Sequence, residues 1–391
     1  MRVDRLRGVH LLWGRGVELE IAHGRIVALS PTEGAPEELL IAPGLVDLQV
    51  NGYGGIDLNS PDLTPDDLHA LAGQLAAWGV TSFLPTVITN SDDALEQLLA
   101  VIARARAAPG PFAGALIGVH LEGPFISPEE GPRGAHDPRW VRPPDWEAFA
   151  RWQRAAEGAI RLHTLSPEWP GSQEFIARCA AGGVTVAIGH TSASPEQIQR
   201  AVAAGARLST HLGNGAHPML PRHPNYIWEQ LACDELWASF IADGLHLPAA
   251  FIKVLLRAKG RRAVLVSDLA PLAGLPPGRY TSSVGGDVLL TPDGRLQLAS
   301  NPSLLAGATR TQLQAINHLV AAGLCARADA WRRASTLPAE LLGLWPLGTL
   351  RPGAPADLVV LREGSEGLRV LATIKGGELV HGAPQIIACN R

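Results

Sequence analysis

One glutamate, several histidines and two aspartates stand in this 391-residue chain at or near the ends of short apolar runs. LVDLQV (45–50) holds Gln49 and is followed by Asn51. LIGVHLEG (116–123) carries His120 and Glu122, TVAIGH (185–190) ends in His190, and LSTHLG (208–213) contains His211. SFIADGLH (239–246) holds Asp243 and His246, and AVLVSD (263–268) ends in Asp268. Singly, each has an ordinary alternative. A strand-end histidine is more often a hydrogen-bonding loop residue, and a strand-end aspartate more often caps the next helix. Jointly they read differently. Glu122, His190 and His211 make a set of one oxygen and two nitrogen donors, which suits zinc or another first-row divalent ion and leaves a coordination position open. Such an ion lowers the pKa of water, so Asp268 becomes the candidate general base, and general acid toward a departing amine. His246 is the candidate donor to a substrate carbonyl oxygen. His120, two residues before Glu122, projects to the same side, either supporting the ligands or as structure.

Groups so far apart in sequence meet only if a scaffold brings strand ends together. Two further runs, TSFLPTV (81–87) and IRLHTL (160–165), complete a set of eight. Each is short and apolar, as strands buried on both faces are. Between them, PDDLHALAGQLAAWG and DALEQLLAVIARARAA show helical apolar spacing, and Ser194-Pro195-Glu196-Gln197 reads as a helix cap with proline in the first turn. Eight strands alternating with helices predict an α/β fold, a (β/α)8 TIM-like barrel whose active site lies at the C-terminal strand ends. The chain's two ends differ: VELEIAHGRIVALS and LRVLATIKGGELVHG are short strands with glycine turns. They predict a small discontinuous β-domain, residues 1–43 and 346–391, with the barrel (44–345) inserted.

Composition excludes several classes. The net charge of −4 carries no basic nucleic-acid footprint. No apolar stretch is long enough to span a membrane, and no leader-like apolar run follows the first arginines. The four cysteines, Cys179, Cys233, Cys325 and Cys389, are scattered, which suits reduced thiols in a cytoplasmic protein.

The motifs resemble those of the N-acetylglucosamine-6-phosphate deacetylase family, within the amidohydrolase superfamily, along nearly the whole chain. The likeness lies in APGLVDLQVNGYGG (42–55), HLEGPFISPEEGPRGAH (120–136), GHTSA (189–193), THLGN (210–214), IADGLH (241–246), LVSDLAPLAG (265–274), LLAGATRT (304–311) and PADLVVL (355–361). The resemblance implies metal ligation by Glu122, His190 and His211, acid/base catalysis by Asp268, and polarisation of the substrate amide by His246. It implies substrate contacts from His136, Asn214, Gly215 and Arg222, the arginine reaching the phosphate from its own subunit or, as it can in the family, from the neighbouring one, so a homodimer is implied. The implied substrate is N-acetylglucosamine 6-phosphate and the products are acetate and glucosamine 6-phosphate.

Many amidohydrolases carry His-x-His on the first strand and bind two metals. Here Gln49 and Asn51 stand in that place, and amides are poor first-row ligands. Relatives with a carboxylated lysine bridge need that lysine on strand four, but the lysines are Lys253, Lys259 and Lys375. One divalent ion is therefore expected: zinc, with iron, cobalt or manganese as alternatives. The loop after His211 departs from the family, reading Gly213-Asn214-Gly215-Ala216-His217 and then Arg222-His223-Pro224-Asn225. An alternative is thus deacylation of a different N-acyl amino sugar, one without phosphate included. A barrel turned non-catalytic scaffold is a third reading, disfavoured because the ligand set and Asp268 are all present.

Overall fold

The structure is a computed structural model that describes residues 1–283 and 285–388. Eight strands form one parallel sheet in sequential order: β1 (Leu45–Val50), β2 (Val80–Ile88), β3 (Val119–Glu122), β4 (Ile160–Leu165), β5 (Thr185–Ile188), β6 (Ala206–Ser209), β7 (Trp237–Phe240) and β8 (Ala263–Leu265). Every residue of β1, β2 and β3 is buried, as the continuous apolar runs require. The two edges of the sheet meet just past β8. Val50 bridges Leu269 in parallel. The Asp268 amide donates to Gln49 O at 3.0 Å and the Asn51 amide to Leu269 O at 2.8 Å. The Asp47 carboxylate accepts the Ser267 amide at 3.1 Å. Val46, Leu48, Leu84, Leu162, Ala187, Leu208 and Val264, drawn from six strands, pack as one cluster inside the barrel.

Helices follow the strands: α1 (Pro65–Ala76), α2 (Asp92–Ala107), α3 (Trp146–Ala155), α4 (Ser172–Ala181), α5 (Pro195–Ala203), α6 (Tyr226–Ala232), α7 (Ala249–Lys259) and α8 (Gln312–Ala321). The cap read before α5 forms as a capping box, with Ser194 and Gln197 exchanging hydrogen bonds. The second, larger cluster joins the outward faces of the strands to these helices.

The small domain is a seven-stranded sheet. It takes four strands from between Arg5 and Pro43 and three from between Leu358 and Gly382, so both ends of the chain build it. Leu40–Pro43 and Leu358–Gly364 pair antiparallel at its centre, where the chain enters the barrel. Beneath this joint Lys375 Nζ donates to Asp357 Oδ2 at 2.7 Å and to Ser82 Oγ of β2 at 3.4 Å, all three buried.

Sequence reading gave no strands between residues 278 and 298. A three-stranded antiparallel sheet stands there: β9 (Gly278–Ser282), β10 (Gly286–Leu290) and β11 (Leu296–Leu298). Its strands are short and half-exposed, so no apolar run marks them. Val288, Leu290 and Leu296 pack it onto Ala270 and Leu272, just beyond Asp268. Among the described residues Cys179, Cys233 and Cys325 are free thiols, and no helix is long and apolar enough to cross a membrane. Cys389 lies outside the described residues.

Candidate metal centre and active site

Glu122 is the last residue of β3, while His190 and His211 each stand two residues past their strands, β5 and β6. The run 208–213, expected as one strand, ends at Ser209. His190 and His211 have φ of 49° and 28°, left-handed conformations that a strand cannot continue through. Asp268 shares this feature with φ 53°. Uncommon backbone of this kind tends to gather at functional sites, where the surrounding packing holds it.

Three atoms converge. Glu122 Oε1 lies 3.2 Å from His190 Nε2 and 3.0 Å from His211 Nε2, and the two imidazole nitrogens are 3.1 Å apart. Ligands at about 2.0–2.2 Å around a tetrahedral ion stand about 3.3 Å from one another, close to this spacing. His190 Nδ1 faces Pro132 O at 2.8 Å. A carbonyl only accepts, so Nδ1 carries the proton and the Nε2 lone pair is turned to the centre. His211 Nδ1 is buried without a partner. Burial pushes the Glu122 carboxyl up, but its contacts with the His190 and His211 imidazoles outweigh it and hold the group well below the ordinary range. A buried anion with two converging nitrogens fits a divalent cation.

Gln49 and Asn51, from β1, do not face empty space. Gln49 Nε2 donates to both Glu122 oxygens, at 3.0 and 3.1 Å. Asn51 Nδ2 donates to Asp268 Oδ1 at 2.9 Å. Burial raises the Asp268 carboxyl to about 6, against the opposing charge of His211. His246 Nδ1 lies 2.7 Å from Asp243 Oδ2, while Asp243 Oδ1 accepts the Leu245 and His246 amides. Burial works against the Asp243 charge, yet the His246 contact brings its carboxyl down to about 2, so Nδ1 is the donor. His120 is buried beside Glu122, with Nε2 2.7 Å from Thr164 Oγ1, and burial lowers it to about 4.

A cavity of about 670 Å³ opens onto these groups. Asn51, Glu122, His136, His190, His211, Asn214, Gly215, His246 and Asp268 all line it; Gln49 stands behind Glu122. His136 Nδ1 bonds Thr89 Oγ1 at 2.8 Å, and burial keeps the ring neutral, lowered to about 3. One of its ring nitrogens comes within 4.8 Å of a Glu122 carboxylate oxygen and a His190 ring nitrogen, making a second possible trio. His211 stands closer to both and completes the tighter set. Gly215 has φ 55°, and a Cβ there would stand 2.7 Å from His190 Nδ1, so the loop needs glycine to pass over His190. Arg222 is exposed and lies outside the lining. His217 lies in the lining and joins Glu129 Oε2 at 3.0 Å to Tyr226 OH at 3.0 Å. Sequence reasoning missed Thr89, the Pro132 carbonyl, and the wall formed by Arg295, Asn301 and Ser303, and it read residues 304–307 as part of a motif without giving them a place in the site. A different cavity, about 540 Å³, sits between α3 and α4 against Trp146, Phe149 and Val184 and holds none of these groups.

The amidohydrolase family profile matches residues 40–380. N-acetylglucosamine-6-phosphate deacetylase of Bos taurus is 35% identical over 351 residues, 87% of this chain and 83% of that protein. The chain belongs to the amidohydrolase family, in its N-acetylglucosamine-6-phosphate deacetylase branch. N-acetylgalactosamine-6-phosphate deacetylase of Escherichia coli O157:H7 is 32% identical over 356 residues, covering 90% of this amidohydrolase and 92% of that one. The structure superposes with a TM-score of 0.87 and 30% identity on a mutant N-acetyl-D-glucosamine-6-phosphate deacetylase from Mycobacterium smegmatis, in complex with N-acetyl-D-glucosamine-6-phosphate. That match covers 97% of this chain and 100% of the other.

Proposed function

We propose that this chain hydrolyses the acetamide of N-acetylglucosamine 6-phosphate, giving acetate and glucosamine 6-phosphate, with one divalent ion held by Glu122, His190 and His211. The observation that carries this reading is the convergence of those three donor atoms within 3.0–3.2 Å beside Asp268, in a cavity that admits a sugar. Zinc is the ion we assign; iron, cobalt or manganese suit the same donors. When bound, the ion supplies Lewis acidity, acidifying water and polarising the amide carbonyl. Asp268 takes the proton of the attacking water on Oδ2, because Oδ1 is held by Asn51. The same oxygen returns that proton to the departing nitrogen, so the amide bond is exchanged for a free amine and acetate. His246, anchored through Nδ1, offers Nε2 to the substrate and donates there in its doubly protonated form. His136, Asn214 and Gly215 contact the sugar. Because Gln49 and Asn51 are engaged with Glu122 and Asp268, one ion is favoured over two.

Arg222 stands on an exposed loop near Met219, 86% exposed, and Trp228, 52% exposed. A second copy would cover such exposed apolar side chains, and in the family this arginine can reach the neighbouring subunit's substrate, so we read the protein as a homodimer. The free thiols suit a cytoplasmic enzyme.

Asp268→Asn tests the mechanism. Metal content should stay near wild type while kcat falls by about 10³-fold or more. Wild-type turnover in that variant would reject the assignment. A panel of N-acetylglucosamine 6-phosphate, its galacto epimer and the unphosphorylated sugars should give the first the highest kcat/KM.

A further inference from the structure

Sugar phosphates bring two negative charges at neutral pH into a cavity whose own fixed anions are Glu122, Glu130 and Asp268. Such a group binds where a cation with spare donors waits. Arg295 is the one arginine in the described lining, and no lysine joins it. It is half-buried and forms no ion pair among the described residues. Asp293, exposed on the same turn, feels the charges of both Arg295 and Arg310.

Its position is fixed by the fold rather than left to a loose loop. Arg295 closes the turn between β10 and β11: its amide bonds Thr291 Oγ1 at 2.9 Å, and its carbonyl accepts the Thr291 amide at 2.9 Å. The preceding carbonyl, Gly294 O, accepts the Thr309 hydroxyl. Thr309 follows Ala308, whose amide bonds Asp268 O at 2.9 Å. Two hydrogen bonds and one peptide link therefore tie the turn bearing Arg295 to the backbone of Asp268. Beside it Asn301 and Ser303 line the same wall. Asn301 Oδ1 is occupied by the Ser303 amide and hydroxyl, which leaves its amide hydrogens for a ligand.

We infer that Arg295, presented by the β9–β11 sheet, binds the phosphoryl group of the substrate from within the same chain, with Asn301 beside it. This rests on the deacetylase reading and adds to Arg222 a second cation, carried by the same chain as the reacting groups, that distinguishes a phosphorylated sugar from a free one. It also gives the sheet missed in the sequence a purpose: its turn carries specificity to a point set by Asp268.

The test is kcat/KM for N-acetylglucosamine 6-phosphate and for N-acetylglucosamine, on wild type, Arg295→Ala and Arg295→Lys. Arg295→Ala should lose about 10- to 100-fold on the phosphorylated sugar, the range of a hydrogen bond to a charged group, and little on the free sugar. Arg295→Lys should recover part of the loss. Calorimetry of glucosamine 6-phosphate against glucosamine should show the same selective weakening without turnover. Equal losses on both sugars, or none on either, overturn the inference while leaving deacetylation standing. A wild-type protein idle on both sugars rejects the deacetylase reading itself. Should alanine disturb the turn, Arg295→Gln must show the same selectivity.

Discussion

Glu122 accepts from one amide nitrogen on both of its oxygens, and that contact gives Gln49 a definite job. With Gln49 Nε2 at 3.0 and 3.1 Å from its two oxygens, the carboxylate is held in one orientation toward His190 and His211. Groups that orient a metal ligand typically affect affinity by about 10- to 100-fold. Gln49→Leu should therefore weaken zinc binding by about that factor, measured by competition with a chromophoric chelator. An unchanged affinity would show that Glu122 needs no such support. At this scale the sequence was informative about chemistry and silent about contact. Glu122, His190, His211 and Asp268 stand out because their types suit one reaction at the ends of β3, β5, β6 and β8. The Pro132 carbonyl that fixes the His190 proton could not be read, since every residue has a carbonyl and only the folded loop brings this one to 2.8 Å.

At the scale of elements, β1 and the strand end after β8 close the barrel through a buried carboxylate. Asp47 is fully buried, Oδ1 accepting amides and Oδ2 unpartnered. Burial raises its carboxyl to about 7, although hydrogen bonds from Ser267 pull the other way. A folded value above the ordinary 3.8 means a stabilising contribution that is complete below that pH and is lost as pH rises through about 7. Asp47→Asn lacks this loss. In metal-free protein the melting temperature of Asp47→Asn relative to wild type should rise between about pH 5 and about pH 8. A difference that stays flat, or falls, contradicts the account. The eight barrel strands were legible because burial on both faces makes them continuous apolar runs. The β9–β11 sheet was not, because only one of its faces packs, through Val288, Leu290 and Leu296, and the exposed side dilutes the pattern.

For the whole molecule, the two-part β-domain follows from chain order: strands at both ends pair at Leu40–Pro43 with Leu358–Gly364, and the barrel is what lies between. That split showed in the sequence as a change from long strand–helix units to short strands with glycine turns. Where Arg222 acts did not show, because it stands on an exposed loop outside the cavity of its own chain. The inserted barrel brings residues from β1, β3, β5, β6 and β8 to one mouth, and everything proposed for the protein depends on an ion at that mouth. Acetate release from N-acetylglucosamine 6-phosphate, followed on the purified protein before chelation, after it and after adding back one equivalent of zinc, tests this most directly. The account predicts that chelation abolishes acetate release and that one equivalent restores it. Full activity in chelated protein, or no acetate from the metal-replete protein, would contradict it.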